Sequence, residues 1–206
     1  MNQFMIMLSA IVLAAGLSKR MGSANKLLLM YKNKTVLETV IENILAAGIK
    51  EVIVVTGHQS EIVQNTLKNL PVHVVYNPDY EKGLTTSIQS GLRVAKGNGY
   101  MICLSDMVLI APEDYTTLKT TFEKQIMLDE KCICMPVFNN QKGNPVIFSA
   151  FYKELILQHQ EMNGCKTIVA SHKEHVLLTQ MNTPNILTDI DYPEDYERLN
   201  LLTDFQ

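Results

Sequence analysis

The chain has 206 residues, 47% of them hydrophobic, and a formal net charge of −3. That composition supplies a core for one domain, 1–206, and the missing basic excess argues against nucleic-acid partners or an anionic membrane surface. The longest apolar run, Met5 to Ala15, is shorter than the about 20 residues a membrane span needs, and Met1 to Phe4 hold no basic residue to open a signal peptide.

A cytoplasmic protein is therefore expected, and the first apolar run reads as a buried strand. Nearly unbroken runs at Leu8 to Leu13, Glu51 to Thr56, Val72 to Tyr76 and Tyr100 to Leu104 suit central parallel strands covered on both faces. Helix-period segments lie between and after them: Thr35 to Ala46, Ser60 to Leu67, Thr85 to Ala95 and Pro112 to Gln125. Gly48 stops the first of these and Pro112 opens the last. This β-α alternation predicts a doubly wound, mostly parallel α/β sheet of Rossmann-like type, whose ligands gather beyond the carboxyl ends of the strands.

Beyond residue 130 the pattern changes. Lys131 to Val137 and Asn144 to Ser149 read as strands joined around the turn cluster Asn139-Asn140-Gln141-Lys142-Gly143, a small antiparallel addition. Cys132 and Cys134 share one face of the first of these strands, where a metal or redox pair and a pair of buried thiols are both conceivable. With Cys103 and Cys165 they make four cysteines without C-x-x-C spacing, so no disulfide framework is expected. Helices are expected near Phe151 to Gln158 and Lys166 to His172, strands at Val176 to Leu178 and Leu187 to Ile190, and a terminal helix after Pro193. His172 and His175 read as a solvated helix end, because no third metal ligand is near in sequence.

The segment after the first strand, Ala14-Ala15-Gly16-Leu17-Ser18-Lys19-Arg20-Met21-Gly22-Ser23-Ala24-Asn25-Lys26, carries the most chemistry. Small residues let backbone N–H groups approach phosphates, while Ser18, Arg20 and Lys26 add a hydroxyl and two cations. It matches neither G-x-G-x-x-G nor a P-loop, so a phosphate cradle and an ordinary βα turn both remain open. Asp106 stands just past a strand end. Asp191 could be a carboxylate of the site or the N-cap of the helix opened at Pro193. Gly83, Thr85, Thr86 and Ser87 open a helix with N–H groups and hydroxyls, which could face a ligand, cap the helix, or both.

Leu13 to Lys26 also resembles the LAAGxSxRMG…K signature of nucleotidyltransferases similar to the molybdenum cofactor cytidylyltransferases, in a superfamily that includes sugar and isoprenoid cytidylyl- and uridylyltransferases. The resemblance continues through Val55-Thr56-Gly57-His58, Gly83 to Leu92, Asp106, Gly143-Asn144-Pro145-Val146 and Asp189-Ile190-Asp191. It implies a nucleotide site made of Leu13, Ala14, Ala15, Gly16, Ser18, Arg20, Lys26, Gly83, Thr85, Thr86 and Ser87. Within it, Arg20, Lys26 and Asp106 are implied to be catalytic, with Mg²⁺ held by Asp106 and Asp191. The implied reaction transfers CMP from CTP to a phosphorylated pterin, the molybdopterin-type cofactor, releases pyrophosphate and supplies a molybdenum hydroxylase such as xanthine dehydrogenase. The Ala14-Ala15 pair resembles the pyrimidine-using members.

The chain departs from the pattern in three places: Val108 replaces a common Pro, Tyr192 a common Thr, and Gly164-Cys165-Lys166-Thr167-Ile168-Val169 stands where Gly-Asp-Lys-Gly-Ala-Arg is frequent. The last change removes an acid and an arginine on the acceptor side. A sugar- or polyol-phosphate nucleotidyltransferase and a non-catalytic molybdenum cofactor carrier are accordingly the alternative expectations.

Overall fold

The computed structural model describes residues 6–22 and 24–203. Met1 to Met5, including the four residues read for a basic flank, and Ser23 of the loop lie outside the described residues. β1 (Leu8–Ala14) is buried along its whole length. Its even-numbered Ala10, Val12 and Ala14 enter one apolar cluster, and its odd-numbered Ile11 and Leu13 enter another. That is the period-two exposure of a strand covered by helices on both faces.

A short hairpin, β2 (Met30–Tyr31) and β3 (Lys34–Thr35), leads into α1 (Val36–Ala46). Thr35 caps the helix reciprocally with Glu38: the Glu38 N–H donates to Thr35 Oγ1 at 3.2 Å and the Thr35 N–H to Glu38 Oε2 at 2.8 Å. Gly48, at φ 75°, then takes the left-handed turn that leads toward β4 (Glu51–Thr56). The chain continues through α2 (Ser60–Thr66), β5 (His73–Tyr76), α3 (Leu84–Val94), β6 (Gly99–Leu104) and α4 (Pro112–Ile126). The rest comprises β7 (Ile133–Phe138), β8 (Gln141–Lys142), β9 (Val146–Ser149), α5 (Lys153–Leu157), α6 (Lys166–Ser171), β10 (Val176–Gln180) and α7 (Pro193–Thr203).

The main sheet runs β10-β7-β9-β6-β1-β4-β5, with β8 hairpinned onto β7. β5, β4, β1 and β6 are parallel, β10 is parallel to β7, and β9 runs against both of its neighbours. The expected doubly wound sheet with an antiparallel addition is thus the observed fold. Side chains of α1, α4 and α7 pack on one face, those of α3, α5 and α6 on the other. Since β4 and β6 flank β1 on opposite sides, their crossovers diverge there and leave a crevice at the strand ends. No described helix is long and apolar enough to cross a membrane.

Two details differ from the sequence expectation. The hairpin β2–β3 was not expected, its strands being only two residues each. Leu187 to Ile190 is not a strand: Pro184 opens a short 3-10 turn through Leu187, and the chain then runs on without a sheet partner. Ile186 explains the anchoring that replaces strand pairing. Its side chain is fully buried, its carbonyl accepts the Asn144 N–H at 3.1 Å, and its close approach to the backbone requires Gly143, where an added Cβ would lie 2.3 Å from that carbonyl.

Candidate active site

The loop after β1 is pinned by apolar anchors while its charges stay free to point inward. Ser18 sits in the left-handed region at φ 48°, the 3-10 turn Lys19–Met21 follows, and Gly22 turns the chain at φ 67°. Met21 and Leu27 are buried and fix the loop at both ends of its second half. Between them the Asn25 side chain accepts the Leu27 N–H at 3.1 Å and donates to Gln59 Oε1 at 3.0 Å. This cap starts the turn Lys26–Leu28 and aims Lys26 across the crevice.

Lys26 Nζ meets Asp106 Oδ2 at 2.5 Å and Asp191 Oδ1 at 2.9 Å. Arg20, more exposed, pairs with the other oxygen of Asp191, and its guanidinium carbon lies 5.6 Å from the centroid of the Tyr192 ring. Three segments far apart in sequence thereby converge. Asp106 is held just past β6, where the neighbouring Ser105 hydroxyl donates to the Leu13 carbonyl at 2.6 Å. Asp191 is not the cap of α7. Asp195 reaches back from the first turn of that helix, its carboxylate accepting the N–H groups of Asp191 and Tyr192 at 3.1 and 2.9 Å, which leaves the Asp191 carboxylate for the cations.

A third carboxylate, Asp189, completes the cluster: one oxygen from each of Asp106, Asp189 and Asp191 lies within 4.8 Å of the others. The Asp-x-Asp spacing was the signal in the sequence, although the expected metal set held only Asp106 and Asp191. Electrostatics mark this group as short of positive charge. Partial burial, then the charges of Asp106 and Asp191, push the Asp189 carboxyl up from its ordinary value. Asp191 is pushed down, chiefly by its hydrogen bond from Lys26. For Lys26, burial favours the neutral amine, but Asp106 and Asp191 outweigh it and the pKa rises. Asp106 Oδ1 is buried and has no hydrogen-bond partner among the described residues. An orphaned carboxylate oxygen beside two further carboxylates is a donor set suited to a hard divalent cation.

Next to these charges lies a cavity of about 350 Å³ bordered by Leu13, Ala15, Gly16, Ser18, Lys26, Gly83, Ser87 and Asp106. Tyr80, Glu81 and Ser105 also line it; sequence reasoning did not single them out. Ala14 lies behind the cavity, buried in the sheet, and Arg20 stands outside the lining, above Asp191. Thr85 and Thr86 also lie outside it. Thr86 accepts from Asn77 at 3.0 Å and donates to the carbonyls of Asp79 and Gly83. Thr85 donates to the Glu161 carbonyl and accepts the Gly164 N–H at 3.0 Å. Its hydroxyl therefore ties α3 to the segment before α6.

Cys132 and Cys134 have their sulfurs 3.5 Å apart, both buried, and no carboxylate or histidine joins them in a possible metal group among the described residues. His172 Nδ1 meets the Ile168 carbonyl of α6 at 2.8 Å, whereas His175 Nδ1 meets the hydroxyl of Tyr152, in the turn before α5, at 2.5 Å, so the two rings are tied to different elements.

Residues 10–176 match the family model described as the MobA-like NTP transferase domain. The molybdenum cofactor cytidylyltransferase of Escherichia coli K12 is 25% identical over 190 residues, 92% of this chain and 93% of that protein. A probable molybdenum cofactor guanylyltransferase of Methanosarcina acetivorans is 31% identical over 180 residues, 82% of this chain and 77% of that protein. Among solved structures, the manganese complex of Rv0371C from Mycobacterium tuberculosis H37Rv superposes with a TM-score of 0.72 at 24% identity, covering 94% of this chain and 97% of that one.

Proposed function

The chain belongs to the MobA-like NTP transferase family, and from that premise we propose that it transfers CMP from CTP to the phosphate of a molybdopterin-type cofactor, releasing pyrophosphate, with Mg²⁺ as its metal. The observation that carries this reading is the convergence of Arg20 and Lys26 with Asp106 and Asp191, beside an orphaned oxygen of Asp106. Two cations already in place against carboxylates can exchange those partners for the oxygens of a triphosphate. The carboxylates they release, Asp106 and Asp191 with Asp189 beside them, are the residues that would hold the metal. When bound, Mg²⁺ supplies charge neutralisation at the phosphate oxygens.

In the proposed reaction an oxygen of the acceptor phosphate forms a bond to the α-phosphorus, and the bond from that phosphorus to pyrophosphate breaks. Lys26, and Arg20 at the crevice edge, hold the departing pyrophosphate and offset the charge that grows on it. Arg20 can make two parallel hydrogen bonds, whereas Lys26 acts as a point charge. No protein base is needed, because a phosphate acceptor is ionised at neutral pH. The small Ala15 methyl and the Ser87 hydroxyl, both at the cavity wall, favour a compact base, and CTP is proposed over GTP.

The test is mass analysis of products after incubating the protein with CTP, GTP, ATP or UTP, Mg²⁺ and molybdenum cofactor. The expected result is a cytosine dinucleotide cofactor with pyrophosphate. Turnover only with a sugar or polyol phosphate would move the proposal to that acceptor class. Tight cofactor binding without pyrophosphate release under any NTP would identify a carrier that delivers cofactor to a molybdenum hydroxylase.

A further inference from the structure

A second cavity, of about 290 Å³, adjoins the first and shares Leu13, Leu84 and Leu104 with it. Its floor is apolar: Ile88, Ile102, Val146 and Phe148 line it, and its uncharged polar side chains come from Asn144 and Asn163. Lys142 and Lys166 close the side away from the nucleotide cavity. They do not border that first cavity, but both border a third hollow of about 340 Å³, together with Lys173. No carboxylate lines either the second or the third hollow. None of the three lysines is in an ion pair with a described residue.

The wall carrying Asn163 and Lys166 is built rather than draped. The buried Gln89 amide donates to the carbonyls of Ile156, Leu157 and His159 at 2.9, 3.2 and 2.9 Å. Thr85 holds Glu161 and Gly164, and the Leu84 N–H donates to the Met162 carbonyl at 2.9 Å. Cys165, where an acid would have placed a negative charge, has its thiol pushed up to about 12 by burial and presents a neutral surface. A ring-sized apolar slot bordered by two unpaired lysines, with a third in the adjoining hollow, has no internal partner for that charge.

From this arrangement we infer that the second cavity is the acceptor subsite and that it selects an acceptor with a flat ring body whose face lies on the apolar floor and a second anionic group, held by Lys142 and Lys166, with Lys173 in the adjoining hollow, at the end remote from the nucleotide. The inference rests on the nucleotidyltransferase reading for the word acceptor. The site's chemistry is tested without it. A body filling the apolar slot removes hydrocarbon surface from water, while the remote anion meets cations that cost little to bind because no carboxylate must first be displaced.

Calorimetry on the full chain with naphthalene-1-sulfonate and the equal-sized, uncharged 2-naphthol, without nucleotide, separates the two contributions. The sulfonate is expected to bind at least about tenfold tighter, with a margin that shrinks as salt rises. The triple variant Lys142→Met, Lys166→Met, Lys173→Met should lose that margin and keep its affinity for 2-naphthol. Circular dichroism checks its fold, and Lys142→Met and Lys173→Met alone carry the comparison if the triple variant does not fold. Equal affinities in the parent, no binding of either probe, a margin that survives the lysine changes, or complete displacement of the sulfonate by CTP overturns the inference. CTP binding to the parent with Mg²⁺ is a separate titration. Its failure would remove the nucleotidyltransferase reading and leave the sulfonate result standing.

Discussion

The two adjoining cavities handle charge in opposite ways. Beside the first cavity both cations are answered: Lys26 bridges Asp106 and Asp191, and Arg20 takes the second oxygen of Asp191. Lys142 and Lys166 border the apolar cavity, and with Lys173 they border the hollow next to it, and no carboxylate lines either. The difference teaches what each cavity lacks. In the cluster beside the first cavity, Arg20 and Lys26 set two positive charges against the three negative ones of Asp106, Asp189 and Asp191, so that cluster is short of a cation. The second cavity is short of an anion.

The largest effect should come from removing the carboxylate on which the first cavity turns. Asp106→Asn keeps size and shape but takes away a charge, and turnover is expected to fall by about 10²-fold or more while the melting temperature changes little. Initial rates against Mg²⁺ concentration give the readout. Asp189→Asn should be milder, raising the Mg²⁺ needed for half-maximal rate. An Asp106→Asn variant with parental rates at every Mg²⁺ level would remove the catalytic assignment and favour the cofactor-carrier reading.

Next in size is the loss of the cation that stands where a metal would be held. In Lys26→Met the buried Asp106 loses its cation while Asp191 keeps Arg20, and one uncompensated buried charge costs up to about 3 kcal/mol. The variant should melt lower than the parent in chelator, and millimolar Mg²⁺ or Mn²⁺ should recover much of the loss. The parent, whose Lys26 occupies the carboxylates, should respond to the metal far less in the absence of nucleotide. A metal response equal in both proteins would mean that Lys26 and the cation do not compete.

How much of this contrast was legible in the sequence differs between the halves. The parallel half announces itself, because strands such as Leu8–Ala14 and Glu51–Thr56 are buried on both faces and read as unbroken apolar runs. The loop from Ala14 to Lys26 and the carboxylates at 106 and 191 could be marked as candidates from residue type and position. That they meet could not be read locally, since the contacts between Lys26 and Asp191 span 165 residues. Leu187 to Ile190 misled because an apolar run resembles a strand, whereas the side chain of Ile186 anchors that stretch against Gly143. Thr85 shows the complementary limit: its place in the family-like motif points to nucleotide, but its hydroxyl is spent on Glu161 and Gly164.

A smaller change separates charge from geometry. Arg20→Lys conserves the charge over Asp191 but removes the planar fork and the stacking on Tyr192. CTP affinity by calorimetry is expected to fall by about 2 kcal/mol, roughly thirtyfold. Parental affinity in both Arg20→Lys and Arg20→Ala would leave the loop a turn and place the triphosphate elsewhere.

The smallest expected effect bears on the neutrality of the second cavity's wall. Cys165 borders the apolar cavity, and burial pushes its thiol from 9.0 to about 12. The folded chain therefore keeps the proton over a range in which the unfolded chain releases it. Because the folded value is the higher one, this thiol's contribution to stability is fully present below pH 9 and is lost as pH rises toward 12. At pH 10 the loss amounts to about 1.4 kcal/mol. Cys165→Ala removes that share and leaves every other alkaline titration in place, so its offset from the parent, measured by urea unfolding, should be constant from pH 7 to 8.5 and then shift in the variant's favour by about this amount at pH 10. A constant offset throughout would mean that the thiol ionises alike in both states and that the cavity wall turns negative with alkali, weakening the case that this side of the molecule awaits an anion.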